Sequence, residues 1–132
     1  MNCSLYSVGR LDIDNVWDDV LPFVESGMEY MDRYGIDDIK ESLLKSEMQL
    51  FVAANSSIKG ICITRIESFP KCKVLNIFLV SGRDRELWLH LDSVLSEWAK
   101  ELGCKYIEAY CRRGWERVLP WKHTKSIMVK EV

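Results

Sequence analysis

With 132 residues, 48% of them apolar and 29% charged, the chain has the material for a single domain with a real core. A net charge of −2 gives no bulk attraction to nucleic acid or to an anionic membrane, and five scattered cysteines with two histidines support neither a disulfide framework nor a C-x-x-C zinc site. No apolar run of about 18 residues and no charged-then-apolar leader is present, so a soluble cytosolic protein with reduced thiols is expected.

In chain order, Cys3–Val8 alternates as a short first strand and turns at Gly9. From Asp14 a helical stripe of Val16, Trp17, Val20, Leu21, Phe23, Val24, Met28 and Met31 faces acidic residues, with Pro22 predicting a kink or restart. Gly35 breaks the chain before a second helix, Ile36–Lys45, which is capped by Asp37 or Asp38 and buries Ile39, Leu43 and Leu44. Glu25, Glu29, Tyr30 and Tyr34 are candidates for a cleft wall, but Tyr30 and Tyr34 lie four apart and pack together on the simpler reading.

Met48–Ala54 and Lys59–Phe69 read as strands flanking the turn residues Asn55, Ser56 and Ser57. Lys73–Val80 is apolar on both faces except at Asn76, as in a strand covered on both sides. Ser81-Gly82-Arg83-Asp84-Arg85 follows as a loop. Glu86–Leu102 then carries one stripe of Leu87, Trp88, Leu91, Val94, Leu95, Trp98 and Leu102, with Asp84 placed to cap it and Gly103 to end it. Lys105–Cys111 is the next strand, Arg112–Leu119 a short helix, and Lys125–Val132 a closing strand through Ile127 and Val129. The fold class is mixed α+β: an antiparallel meander followed by a right-handed βαβ crossover that adds a parallel neighbour.

In open α/β sheets ligands gather at the carboxyl ends of strands, where helix N-termini present free N–H groups. Here that end is the 81–85 loop, with Gly82 allowing a tight turn and two arginines adding charge. Two readings stand: a phosphate cradle, or an ordinary strand-to-helix turn with solvated arginines. The local basic excess of Lys105, Arg112, Arg113, Arg117, Lys122, His123 and Lys125 reads as a solvated face. Nucleic-acid contact through these residues and Trp115 and Trp121 is not expected.

The element order, together with Trp98-Ala99-Lys100-Glu101 and the run from Leu102-Gly103-Cys104 through Glu108 to Arg113-Gly114-Trp115-Glu116-Arg117, resembles the GCN5-related N-acetyltransferase superfamily. Within it, these residues are similar to small acetyltransferase-like proteins of tailed bacteriophages and prophages. The resemblance implies an N-acetyltransferase moving an acetyl group from acetyl-CoA to a primary amine on a small molecule or protein, with no membrane partner and with a homodimer as an admissible state. It also implies that Ile77, Phe78, Leu79 and Val80 hold the pantetheine arm and that Ser81, Gly82, Arg83, Asp84 and Arg85 meet the phosphates. The thioester then lies where the fourth and fifth strands splay, beside Tyr106, Glu108 and Tyr110.

In catalytic roles, Glu108 would deprotonate the amine and Tyr110 or His123 protonate the leaving thiolate, while Arg113 would reach the cofactor or an acidic acceptor. The plain alternatives are that Glu108 pairs with a cation, Tyr110 packs in the sheet and His123 is solvated. The chain departs from the family in two ways. Gly82 stands alone, with Asp84 and Glu86 bringing charge that opposes a pyrophosphate unless Arg83 and Arg85 neutralise it. The 114–121 stretch also has no tyrosine where many members carry the acid. The rival reading is a catalytically inactive phage protein of this fold, acting as a binding or assembly module.

Overall fold

The computed structural model describes residues 1–111, 115, 117 and 119–132. The expected short helix over 112–119 and the proposed contact of Arg113 fall largely outside the described residues. Strand β1 (Ser4–Val8) leads through a 3-10 turn, Arg10–Asp12, into α1 (Ile13–Gly27) and then α2 (Ile36–Leu44). Strands β2 (Gln49–Ala54), β3 (Ile58–Ser68) and β4 (Lys73–Gly82) follow, then 3-10 turns at Arg85–Leu87 and Leu89–Leu91, α3 (Asp92–Glu101) and β5 (Tyr106–Ala109).

The five strands form one sheet in sequence order, antiparallel from β1 to β4 and parallel between β4 and β5. Alternation explains how the sheet is covered. Leu50 and Val52 of β2 and Ile61 and Ile63 of β3 face one side, where they meet Ile13, Trp17, Val20 and Val24 of α1 and Ile39 and Leu43 of α2. The buried α1 residues recur at steps of four, three and four, which keeps them on one helical stripe. Phe51 and Leu75 face the other side, against Leu95 and Ala99 of α3, and Phe51 meets the Trp98 ring edge-on at 4.8 Å.

Several local expectations are corrected. Helix α1 does not restart at Pro22 but continues through it to Gly27, with Pro22 on its exposed side. Asp38 caps α2 as expected, but from inside its first turn rather than from the N-cap position. Gly35 takes that position, and its N–H donates to Asp38 Oδ2 at 2.8 Å. The predicted helix Glu86–Leu102 is shortened to Asp92–Glu101, because Asp84 adopts a left-handed conformation (φ 52°, ψ 52°) and the chain makes two 3-10 turns before the helix starts. Asp84 makes no cap; its carboxylate instead pairs with Lys59 at 3.5 Å. Gly103 ends the crossover helix in the left-handed region at φ 82°, as its place after Leu102 predicts. Residues 125–132 adopt no regular secondary structure, so the closing strand does not form. Among the described residues, no helix is long and apolar enough to cross a membrane.

Candidate active site

The site is built by the parting of β4 and β5. Their parallel pairing runs from Val74 opposite Tyr106 to Ile77 opposite Ala109 and stops, although β4 continues to Gly82. The cause is on the other edge of β4. Ile63 pairs with Leu79 and Thr64 with Ile77, so Phe78 is an extra residue with no partner on β3. Such a bulge bends and twists its strand, and this one begins where β5 leaves.

The bulge leaves one edge of β4 without a strand. Arg83 donates its N–H to Lys59 O at 2.8 Å, which fixes which residues of β4 face β3. By antiparallel alternation Ser81 and Leu79 also turn their N–H and C=O groups toward β3. Val80 and Gly82 therefore turn theirs toward the edge that β5 has vacated.

A cavity of about 830 Å³ occupies this gap and opens to both faces of the sheet. On the α1 face it is bounded by Ser26, Gly27, Glu29 and Tyr30. On the α3 face it is bounded by Cys62, Trp88, Leu91 and Leu95. Tyr110 and Cys111 lie where β5 departs, and Trp115, Trp121 and His123 belong to the C-terminal segment. Trp121 is held there by its indole N–H, which donates to Asp92 Oδ1 at the start of α3 (3.0 Å).

The residues named from the sequence divide into two groups. Ile77, Phe78, Leu79 and Val80 all line the cavity. The loop residues do not. Ser81 and Gly82 are not loop residues at all, because they extend β4 and pair with Ile61 and Gly60. Arg83 places its guanidinium over Phe23 at 5.6 Å, Arg85 over Trp115 at 5.8 Å, and Asp84 is engaged with Lys59. Tyr110 is 72% exposed and lines the cavity. Tyr106 is exposed on β5, and Glu108 is half-buried opposite Asn76, both outside the cavity lining. Of the cleft-wall candidates, Glu29 and Tyr30 reach the cavity. Tyr34 packs edge-on to Phe78 at 4.9 Å and accepts a hydrogen bond from Arg65 Nη1 at 3.0 Å.

Arg65 sits in a polar patch on the α1 face. Burial works against its charge, but its bonds to Glu67 and Tyr34 prevail and hold its pKa above the ordinary guanidinium value. Beside it Asn76 is 2% exposed, and its Nδ2 has no hydrogen-bond partner among the described residues. An unpaired buried amide costs roughly 1–3 kcal/mol.

Sequence reasoning overlooked Gly60, Cys62 and Trp88. The available signal was glycine inside a strand pattern, which marks close approach of other groups to the backbone. A Cβ at Gly60 would lie 3.4 Å from the Trp88 indole and 3.1 Å from Ser81 O. Burial of Cys62 pushes its thiol up to about 12, so it stays protonated through neutral pH. We expect Cys62 to resist iodoacetamide at pH 8.5 in the folded protein and to react in urea. Peptide mapping by mass spectrometry checks this, and rapid modification without denaturant would show that the pocket is wet.

No protein-family model matches the chain, and a search of curated proteins finds no match. Solved structures do match. An aminoglycoside acetyltransferase, meta-AAC0020, from an uncultured soil metagenomic sample in complex with sisomicin superposes with a TM-score of 0.73 at 11% identity, covering 98% of this chain and 96% of that one. A GNAT family acetyltransferase of Staphylococcus aureus gives 0.71 at 15% identity with full coverage of both chains. AAC(6')-Iy in complex with a CoA-linked bisubstrate analogue, CoA-S-monomethyl-acetylneamine, gives 0.72 at 11% identity, covering 100% of this chain and 99% of that one. The architecture is therefore that of the acyl-CoA N-acyltransferases. More narrowly, the chain has the GCN5-related N-acetyltransferase fold that its sequence resembles.

Proposed function

We propose that this chain is an N-acetyltransferase that moves an acetyl group from acetyl-CoA to a primary amine. The observation that carries the reading is the vacated edge of β4 beyond Ile77, toward which the N–H groups of Val80 and Gly82 turn, with Val80 lining a cavity of about 830 Å³ in the gap. An extended amide chain such as pantetheine satisfies those groups as a strand would. The similarity to AAC(6')-Iy bound to a CoA-linked analogue supports the same placement.

In this reading Ile77, Phe78, Leu79 and Val80 flank the arm, and Ser81, Gly82, Arg83, Asp84 and Arg85 lie toward its phosphate end. Arg83 and Arg85 offset the negative charge of Asp84 and Glu86 there. Arg113 adds a further cation in the same proposal. Glu29 and Tyr30, at the mouth on the α1 face, receive a cationic acceptor, whether small molecule or protein. The ammonium loses one proton toward Glu108 through water, its nitrogen bonds to the thioester carbonyl carbon, and the nitrogen gives up its second proton to solvent as the carbon–sulfur bond breaks. The Tyr110 hydroxyl gives a proton to the departing sulfur and regains one from solvent. The products are an amide, free CoA thiol and one net proton. Positioning the amine against the carbonyl supplies most of the rate.

Titration calorimetry with acetyl-CoA tests the reading. Saturable heat with a micromolar to submillimolar dissociation constant is expected, followed by release of free thiol when a panel of amines is added. Absence of both heat and thermal shift at millimolar cofactor would count decisively against it. One observation favours the second reading, a non-catalytic phage binding or assembly module: Asp84 and Lys59 neutralise each other where a phosphate cradle needs free positive charge. That reading expects no CoA binding and specific capture of a host protein by the purified chain.

A further inference from the structure

The C-terminal segment forms part of the cavity wall, and it brings an amine with it. Trp121, His123, Lys125 and Ile127 all line the cavity, with Ser126 beside them. Every second residue from Trp121 to Ile127 therefore borders the opening, as in a chain laid lengthwise along it. Lys122, Thr124 and Met128 do not line it. The segment is fixed at its start, where the Trp121 indole N–H donates to Asp92 Oδ1 at 3.0 Å and Asp92 itself lines the cavity. Lys125 follows four residues later, at most roughly 14 Å of chain from that anchor.

Among the described residues, Lys125 is the only lysine of the cavity wall. Its ammonium makes no ion pair with any described residue, whereas Lys40, Lys45 and Lys59 are each held by a carboxylate. Lys73 donates to Leu102 O, and Lys105 lies against the Tyr106 ring. An uncommitted primary amine on a four-carbon stem thus shares one cavity with Tyr110 and with Val80 of the vacated β4 edge. A tether of a few residues holds such an amine near the site at an effective concentration on the order of millimolar. A free acceptor has to reach that concentration in solution to compete.

We propose that Lys125 is an acceptor for this chain's own acetyl transfer, modified within the same molecule when acetyl-CoA occupies the cavity. The proposal rests on the acetyltransferase reading above and names an acceptor for the same site. In the step the Lys125 Nζ nitrogen bonds to the thioester carbonyl carbon, and the carbon–sulfur bond breaks. The ammonium gives up two protons in all, of which one ends on the sulfur of free CoA and the other in solvent. The resulting amide removes the positive charge of Lys125 from the cavity wall.

The test incubates the purified full chain with acetyl-CoA at neutral pH and follows each lysine by peptide mapping and mass spectrometry. Lys122 and Lys130 are internal references, since they share the exposure of Lys125 on the same tail but do not line the cavity. Lys125 is expected to be acetylated at least about tenfold faster than either, at a rate unchanged by dilution of the protein. Excess free CoA is expected to slow Lys125 without slowing the references. Val80→Pro, confirmed folded by a thermal melt, is expected to bring Lys125 down to the reference rate. If acetyl-CoA binds by calorimetry but Lys125 reacts no faster than Lys122 and Lys130, the inference is overturned while the acetyltransferase reading stands. A rate that rises with protein concentration overturns it as well, since the amine then comes from a second copy. If acetyl-CoA does not bind, both are overturned. The comparison of lysines in the wild-type chain decides the matter even should Val80→Pro fail to fold.

Discussion

Val80→Pro is expected to abolish CoA binding while leaving the protein folded. The bond from the Arg83 N–H to Lys59 O sets the alternation along β4, so the Val80 N–H points away from β3 into the gap left by β5. Proline there removes no bond of the sheet, and the extended backbone of a strand next to an open edge is a place that tolerates it. The residue before it, Leu79, already has the extended conformation that a following proline favours. In the cleft the consequence is different. One donor is lost, and the pyrrolidine ring projects into the path of an arm lying against that edge. A single lost hydrogen bond costs about 1 kcal/mol, or fivefold in affinity, and the steric block raises the loss to a hundredfold or more.

The control is one residue away. Leu79 turns its N–H toward β3 and is only 5% exposed, so Leu79→Pro removes a ladder bond and a core side chain together and is expected not to fold. Circular dichroism and calorimetry on the pair separate the outcomes. A folded Val80→Pro protein that binds CoA as tightly as the wild type would remove the vacated strand edge from the binding site. Substitution by alanine at the same position keeps the N–H and is expected to retain binding within a few-fold.

What the sequence conveyed depended on how locally each feature is determined. The five described strands and the first two helices were legible because their apolar residues follow periods of 2 and 3.6, and burial on both faces of β4 showed in the run from Val74 to Val80. The bulge at Phe78 was not legible. It arises from a mismatch between β3 and β4, and no periodicity within Lys73–Val80 records the register of a partner. The 3-10 turns before α3 escaped for a related reason. Leu87, Trp88 and Leu91 satisfy a helical stripe equally well when they are drawn, as here, to Cys3, Leu5 and Ala53 by packing. The tail shows the opposite failure: alternation at Ile127 and Val129 predicts a strand, but the tail pairs with none of the sheet's edges.

Gly82→Ala is expected to destabilise the protein by about 2 kcal/mol and Gly82→Val by about 3–4 kcal/mol, a size that core overpacking against backbone can produce. The sequence presents Gly82 as a turn glycine, but in the structure it lies inside β4, where what matters is space. A Cβ at this position would stand 2.6 Å from Lys59 O, 2.8 Å from Gly60 Cα and 3.1 Å from Trp88 Nε1. The first two are backbone atoms of the paired strand and cannot swing aside, so relief requires β3 and β4 to separate where Arg83 is bonded to Lys59. The third is an indole nitrogen that donates to Arg83 O at 2.9 Å, so displacement of Trp88 breaks that bond and shifts one wall of the cleft. Urea unfolding followed by tryptophan fluorescence measures the loss, with an unchanged m-value confirming that the folded state is what suffers. Gly9→Ala serves as the reference, because its φ is −68° and nothing lies within 4 Å of an added Cβ. That substitution is expected to stabilise by about 0.5 kcal/mol through the unfolded chain alone. Equal stability of Gly82→Ala and the wild type would mean that the two strands are not pinched together at this point, and the seat of Trp88 on the Gly60–Gly82 pair would have to be abandoned with it.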